Sequence, residues 1–273
     1  MGQRDWSELP VHCLVEIFGR VGIESLVEAI PLVCRSWYEA TLYPQCWQQL
    51  VFTKSPCLRT SKRSIPRLKL DKDSRFDFNI VVSLDHTSNG HDSLEKLVRF
   101  AVGRSHGLAT EIVFHPKSHL KEGQITWIAQ RCPSLKLLAL PSYLSYVINF
   151  EVSDSICKWK DLEALQVVSL IGLKKTIANI SKNCHNFNHL SIYVHRIDGD
   201  VALAIASQLP HIKTLDLRFA AIERDDLIVI LKGCQELEHL DVSECKGVAG
   251  DDEIMKLARR IHVFKHEGSY VGQ

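Results

Sequence analysis

Residues 234–245 read Cys234-Gln235-Glu236-Leu237-Glu238-His239-Leu240-Asp241-Val242-Ser243-Glu244-Cys245. Within this stretch the apolar residues Leu237, Leu240 and Val242 occupy positions i, i+3 and i+5. Successive side chains of a strand point to opposite faces, so Leu240 and Val242 share one face and Asp241 lies on the other. The stretch therefore predicts a short strand with one buried face, and the fold depends on how often the pattern recurs.

The same apolar template recurs along the second half of the chain. Its copies start at residues 109, 135, 162, 187, 212 and 237, a spacing of 25 to 27 residues. Between the copies the apolar spacing becomes helical, as at Ile177, Ile180 and Cys184. Each unit is thus predicted to be a strand, a loop and a helix. Because no such unit buries its apolar face alone, neighbours are expected to stack into a curved parallel sheet with helices outside.

The repeated unit resembles a leucine-rich repeat of the kind that carries a cysteine near the end of its helix. Cys132-Pro133-Ser134-Leu135 and Cys184-His185-Asn186-Phe187 share the lead-in of the stretch quoted above. The resemblance implies that residues 106–273 form a leucine-rich-repeat solenoid. Ile261, Val263 and Phe264 are expected to form its final strand.

The N-terminal segment has a different pattern, with three short helical runs of apolar residues. The first follows Leu9, the second stops at Pro31 and the third ends before Pro44. Three short helices bury too little surface for comfortable independent stability, so exposed apolar residues of this segment are expected to dock a partner.

Specific residues of this segment resemble an F-box over residues 5–52. The resemblance lies in the strings Leu9-Pro10-Val11-His12-Cys13-Leu14-Val15-Glu16-Ile17-Phe18, Val33-Cys34-Arg35-Ser36-Trp37 and Pro44-Gln45-Cys46-Trp47. It implies binding to a Skp-type adaptor, and through it to the cullin and RING subunits of a ubiquitin ligase. The residues implied in adaptor binding are Leu9, Pro10, Leu14, Ile17 and Phe18.

For each F-box residue the alternative is a place in the core of the small helical unit. We predict Leu9 and Pro10 to lie at the interface, and Val33 and Trp37 to lie in the core. The domain boundaries follow as an F-box domain over residues 1–52, and a basic linker with an irregular first repeat over 53–105. Residues 54–75 hold eight basic and two acidic side chains, which indicates either a solvated linker or a patch for nuclear import or an anionic partner.

A second candidate site lies on the face of the sheet opposite the core. Positions i+2, i+4 and i+6 of the template point to this concave face, where exposed aromatic, arginine and histidine side chains are typical of binding hot spots. We predict that the target protein is bound there by Tyr193, Asp216, Arg218, His239 and Asp241. An ordinary solvated sheet face is the alternative.

Composition excludes several functional classes. The chain has 273 residues with 33 basic and 32 acidic side chains, which disfavours a nucleic-acid-binding protein. It has no apolar run near the roughly 20 residues that cross a bilayer and no secretory signal, so we expect no membrane association, a location in the nucleus and/or cytoplasm, and reduced thiols. It lacks Cys-x-x-Cys, P-loop and Gly-x-Ser-x-Gly motifs, so we expect no metal, cofactor or catalytic residue.

These patterns together identify the chain as similar to plant-type F-box/leucine-rich-repeat proteins. The predicted fold class is α/β, with a small N-terminal three-helix F-box followed by the leucine-rich-repeat solenoid. The resemblance implies a non-catalytic substrate-recognition subunit of an SCF (Skp-cullin-F-box) E3 ubiquitin ligase, whose target is degraded by the proteasome. A leucine-rich-repeat scaffold or a ligand-sensing receptor acting outside a ligase is the alternative.

Overall fold

A computed structural model of the chain describes residues 8–52, 91–142, 144–247 and 251–269. Its α-helices are α1 Val11–Phe18, α2 Ile23–Glu28, α3 Arg35–Thr41, α4 His91–Ser105, α5 Gln124–Arg131, α6 Tyr146–Ser155, α7 Leu173–Asn183, α8 Gly199–Gln208, α9 Arg224–Gly233 and α10 Asp252–Ala258. Its strands are β1 Gln49–Phe52, β2 Glu111–Phe114, β3 Leu137–Ala139, β4 Ala164–Val167, β5 His189–Ile192, β6 Arg196–Ile197, β7 Thr214–Asp216, β8 Ala221–Ile222, β9 His239–Asp241 and β10 Val263–Lys265. Single turns of 3-10 helix occur at Ile30–Leu32, Pro44–Trp47 and Ile156–Lys158.

Eight strands form one parallel sheet in the order β1-β2-β3-β4-β5-β7-β9-β10, and β6 pairs with β8 in a separate two-stranded ribbon. The i+3 positions of the template are aligned across the strands, as Leu165, Leu190, Leu215 and Leu240 show, and these leucines are buried. The predicted α/β repeat architecture is confirmed. The predicted final strand is present as β10, which includes Val263 and Phe264, whereas Ile261 precedes it.

The cysteines that end the repeat helices lie in the core. Cys132, Cys184 and Cys234 directly follow α5, α7 and α9, and all three are buried. Burial raises the pKa of these thiols to about 12, 11 and 11, so they stay protonated. The Cys184 thiol donates to the backbone oxygen of Trp159 over 3.2 Å, linking one repeat to the one before. A small buried thiol at these positions suits the close packing of helix on strand.

The N-terminal helices are joined to the sheet by strand β1. Gln49–Phe52 pairs in parallel with Glu111–Phe114, and the rings of Phe52 and Phe114 stack with centroids 5.4 Å apart. Trp47 contacts Phe100 of α4 edge-to-face at 5.5 Å. The cores of the helical segment and of the repeats are therefore continuous. The basic segment and the first part of the predicted irregular repeat lie outside the described residues.

Helices α8 and α9 approach closely at Gly233. A Cβ at this position would lie 2.5 Å from the Cβ of Ala206 and 2.7 Å from its backbone oxygen. We expect Gly233→Ala to lower the free energy of unfolding by about 1–3 kcal/mol, the range for overpacked cores. Gly103 of α4 is the matched control, because no atom lies within 4 Å of its would-be Cβ. Gly103→Ala should raise the free energy of unfolding by roughly 0.5–1 kcal/mol. Urea titration measures both variants, and a loss at Gly103 as large as at Gly233 would contradict the packing argument.

Candidate functional sites

Helix α1 turns two of the five predicted adaptor residues into the core. Leu14 and Phe18 are buried, because positions i and i+4 of a helix share one face and that face of α1 packs on α3. The Phe18 ring contacts Trp37 edge-to-face at 5.2 Å. The expectation that Leu14 and Phe18 lie on the adaptor surface is therefore wrong as to their position. They support the helix from inside.

The other three predicted adaptor residues lie at or near the surface. Pro10 is exposed, Ile17 is exposed between the two buried residues of α1, and Leu9 is half-buried against the core. Their contact with an adaptor stays a prediction.

The prediction that Val33 lies in the core is wrong. In the 3-10 turn after α2, Ile30 is buried, whereas Leu32 is 82% exposed and Val33 is 58% exposed. The turn ends at Leu32, and Val33 lies in the connection to α3, outside both elements. Trp37 is half-buried and packs against Phe18, as predicted.

Several exposed apolar side chains of this segment are not among the adaptor residues predicted from the sequence. Their exposure could have been predicted for Leu32 and Val33, the two apolar residues that directly follow Pro31. The helical unit is too small to bury both side chains. Together with two of the predicted residues they make up what we call the N-terminal apolar group, namely Pro10, Ile17, Leu32, Val33 and Tyr38.

Four of the five predicted substrate-binding residues meet at the carboxyl ends of the adjacent strands β5, β7 and β9. The strand register aligns Asp216 with Asp241. The Tyr193 hydroxyl donates to Asp216 Oδ2 over 2.6 Å, and Arg218 Nη2 donates to the same oxygen over 2.7 Å. Arg218 Nη2 lies 2.7 Å from the Tyr193 hydroxyl, and the guanidinium carbon lies 5.6 Å from the centre of the Tyr193 ring. We call Tyr193, Asp216, Arg218 and Asp241 the concave network.

The concave network is more buried than the sequence predicts. Asp216 is 6% and Arg218 is 8% exposed, because the guanidinium folds back along its own strand onto Asp216 and each group neutralises the other. Asp241 lies farther out, with Oδ2 at 3.7 Å from Arg218 Nε and 4.0 Å from Lys265 Nζ. Burial, followed by the charge of Asp216, raises the pKa of Tyr193 above its ordinary range, so the phenol stays protonated and donates.

His239 lies outside the network. It is exposed, and its ring packs edge-to-face on His262 with centroids 6.2 Å apart. Substrate binding by His239 and by the four residues of the network stays a prediction.

His189 gives the concave face a pH-dependent element. It is buried, and burial lowers its pKa from 6.5 to about 4. Below pH 6.5 the unfolded chain binds a proton that folded His189 does not, so acid favours unfolding. Between pH 7 and pH 5 we expect the free energy of unfolding to fall by about 2 kcal/mol from this residue. Urea titrations of the wild type and of His189→Gln at both pH values measure the difference. The variant should lose this fall, and an unchanged fall would contradict the prediction.

The described part of the chain offers neither a metal site nor a membrane span. No group of three or more His, Cys, Asp or Glu side chains in residues 8–52, 91–142, 144–247 and 251–269 is placed to hold a metal ion. None of the helices in these ranges combines the length and apolar character that a membrane span requires.

Comparison with known proteins agrees with this division into two parts. The F-box-like family model matches residues 6–53. An F-box/LRR-repeat protein of Arabidopsis thaliana is 31% identical over 244 residues, which cover 88% of this chain and 72% of that protein. The F-box protein FBW2 of the same plant is 26% identical, covering 93% of this chain and 72% of its own length. The F-box protein SKIP1, also from Arabidopsis thaliana, is 22% identical over 93% of this chain and 84% of its own length.

Proposed function

Because this chain belongs to the plant F-box/LRR-repeat proteins, we propose that it is the substrate-recognition subunit of an SCF-type ubiquitin ligase. In this role the F-box segment binds a Skp-type adaptor, which connects it to the cullin and RING subunits. The repeats bind a target protein for ubiquitination and proteasomal degradation. The chain acts in the nucleus and/or cytoplasm without a cofactor.

The observation that carries the proposal is the exposure of the N-terminal apolar group. Leu32 and Val33 lie side by side at the surface of a helical segment. The core of this segment is continuous with that of the repeats. Exposed clusters of large apolar side chains are typical of protein interaction sites. Leu32 and Val33 lie in the part of the chain that matches the F-box-like family model.

The proposed activity is positional and needs no covalent chemistry from this chain. A receptor that holds a target lysine beside a ubiquitin-loaded enzyme converts a bimolecular encounter into a local one, which raises the effective concentration of the reacting groups. The concave network suits this role, because Asp216 and Arg218 hold the Tyr193 side chain in one orientation. We assign target contact to Tyr193, His239 and Asp241, and the support of Tyr193 to Asp216 and Arg218.

Co-expression with a Skp-type adaptor tests the proposal. The full chain should co-purify with the adaptor as a stoichiometric complex, as a known F-box protein does in a parallel preparation. If the known F-box protein binds and this chain does not, the ligase role is wrong. A protein-binding scaffold or a ligand-sensing receptor outside a ligase then becomes the better description.

A further inference from the structure

Phe219 combines an unfavourable backbone with an exposed aromatic side chain. It follows Arg218, three residues after the end of β7, has a φ of +65° and is 61% exposed. A bulky residue is rarely found in this left-handed region, which Gly and Asn adopt far more readily. Exposing a phenyl ring to water is unfavourable as well.

The turn explains the backbone but not the choice of phenylalanine. Glu244, which lies 25 residues later at the same place in the next repeat, also has a positive φ of 59°. The backbone N–H of Phe219 donates to Ser243 over 3.2 Å, and that of Glu244 donates to Glu267 over 2.9 Å. The two turns therefore share the left-handed conformation at this position. Glu244 shows that a polar side chain fits this position, and such a residue would avoid exposing an apolar ring to water.

The surroundings restrain the backbone of Phe219 without covering its ring. Arg218 before it is fixed by hydrogen bonds to Asp216, and Ala220 after it is buried. The ring has no aromatic or cationic partner among the residues that the structure describes. The corresponding residue of the preceding repeat is Val194, which is half-buried and also apolar. A residue whose backbone is fixed before association has less conformational freedom to lose on binding, which lowers the entropic cost.

We propose that Phe219 is the anchor by which the repeats hold an apolar side chain of the target protein. This inference rests on the proposed function and names the chemistry of its binding surface. Aromatic anchors at rigid positions carry much of the binding free energy of protein interfaces, whereas a residue that packs the fold is buried. The strained and exposed position of Phe219 fits the first role.

A peptide library supplies the probe, because it needs no knowledge of the target. Random twelve-residue peptides displayed on phage are selected on the immobilised full chain, and the enriched peptides are synthesised for fluorescence anisotropy. We expect the enriched peptides to share an apolar residue and their Kd to rise at least tenfold for Phe219→Asn. Leu203 of α8 is the matched control, since it is 60% exposed and apolar. Leu203→Gln should leave the Kd unchanged.

Thermal unfolding separates an anchor from a packing residue. Because Asn tolerates a positive φ, Phe219→Asn should relieve backbone strain and raise Tm by about 2–4 °C. A lower Tm, an unchanged Kd for Phe219→Asn, or enriched peptides without an apolar residue would each overturn the inference. Co-purification with the adaptor is measured on the same variant and should be unchanged. Failure of the wild type there overturns the ligase role, whereas the peptide affinities decide the anchor.

Discussion

Replacing Arg218 with methionine is expected to lower the free energy of unfolding by about 3–5 kcal/mol. The reason is the Asp216 carboxylate, which is buried and receives hydrogen bonds from Nε and Nη2 of Arg218. Without the guanidinium this carboxylate would be a buried charge whose remaining side-chain donor is the Tyr193 hydroxyl. Urea unfolding followed by circular dichroism measures the loss.

Two control variants test whether the unpaired buried charge causes this loss of stability. In the double variant Asp216→Leu, Arg218→Met both charges are removed, and most of the lost stability should return. Lys213→Met removes one partner of an ion pair between neighbouring repeats, Lys213 with Glu238 at 2.8 Å, in which both side chains are about half exposed. It should have little effect, because water screens that pair. A loss for Arg218→Met no larger than for Lys213→Met would refute the role of the buried charge.

The second large effect is expected at the adaptor. The double variant Leu32→Asp, Val33→Asp should weaken binding of a Skp-type adaptor by about 1000-fold, since two apolar anchors at roughly 2 kcal/mol each are removed. Both side chains are already exposed, so the free energy of unfolding should change by less than about 0.5 kcal/mol per substitution. Isothermal titration calorimetry with the purified adaptor measures the affinity.

The buried residues of α1 provide the opposite control. Leu14→Ala should lower the free energy of unfolding by about 2–5 kcal/mol through the cavity it leaves, and it should affect adaptor binding through the fold. Leu203→Asp on α8 places a charge at an exposed apolar residue far along the chain and should leave the adaptor affinity unchanged. If the double variant at Leu32 and Val33 binds like the wild type, the N-terminal apolar group is not the adaptor surface.

The sequence predicts the sheet well, because each buried row of the repeat recurs at a nearly fixed interval. The alignment of Leu190, Leu215 and Leu240 follows directly from that interval. The burial of Arg218 could not be predicted in the same way. Alternation assigns Arg218 to the concave face, but only its side-chain conformation brings it back onto Asp216, two residues earlier.

The F-box segment shows a similar limit. Its motif identifies which residues belong to the family pattern, yet it does not tell which of them face water. Leu14 and Phe18 are inside and Ile17 is outside, although all three lie on one short helix. Val33 lies outside the core, in the connection between the 3-10 turn and α3, a position that the motif alone does not reveal. The sequence pattern does not single out Phe219, because the feature that distinguishes it is a backbone angle.

Strand β1 has a mechanical consequence for the proposed ligase. The N-terminal helices and the repeats are held together by backbone pairing between Gln49–Phe52 and Glu111–Phe114, and by the contact of Trp47 with Phe100. Their relative orientation is therefore set by these contacts, and changing the number of residues between 53 and 90 should leave it unaltered. A target held on the concave face would then sit at a constant distance and angle from the adaptor. Such a receptor works as a rigid spacer, so geometry decides which lysines of the target come within range of ubiquitin.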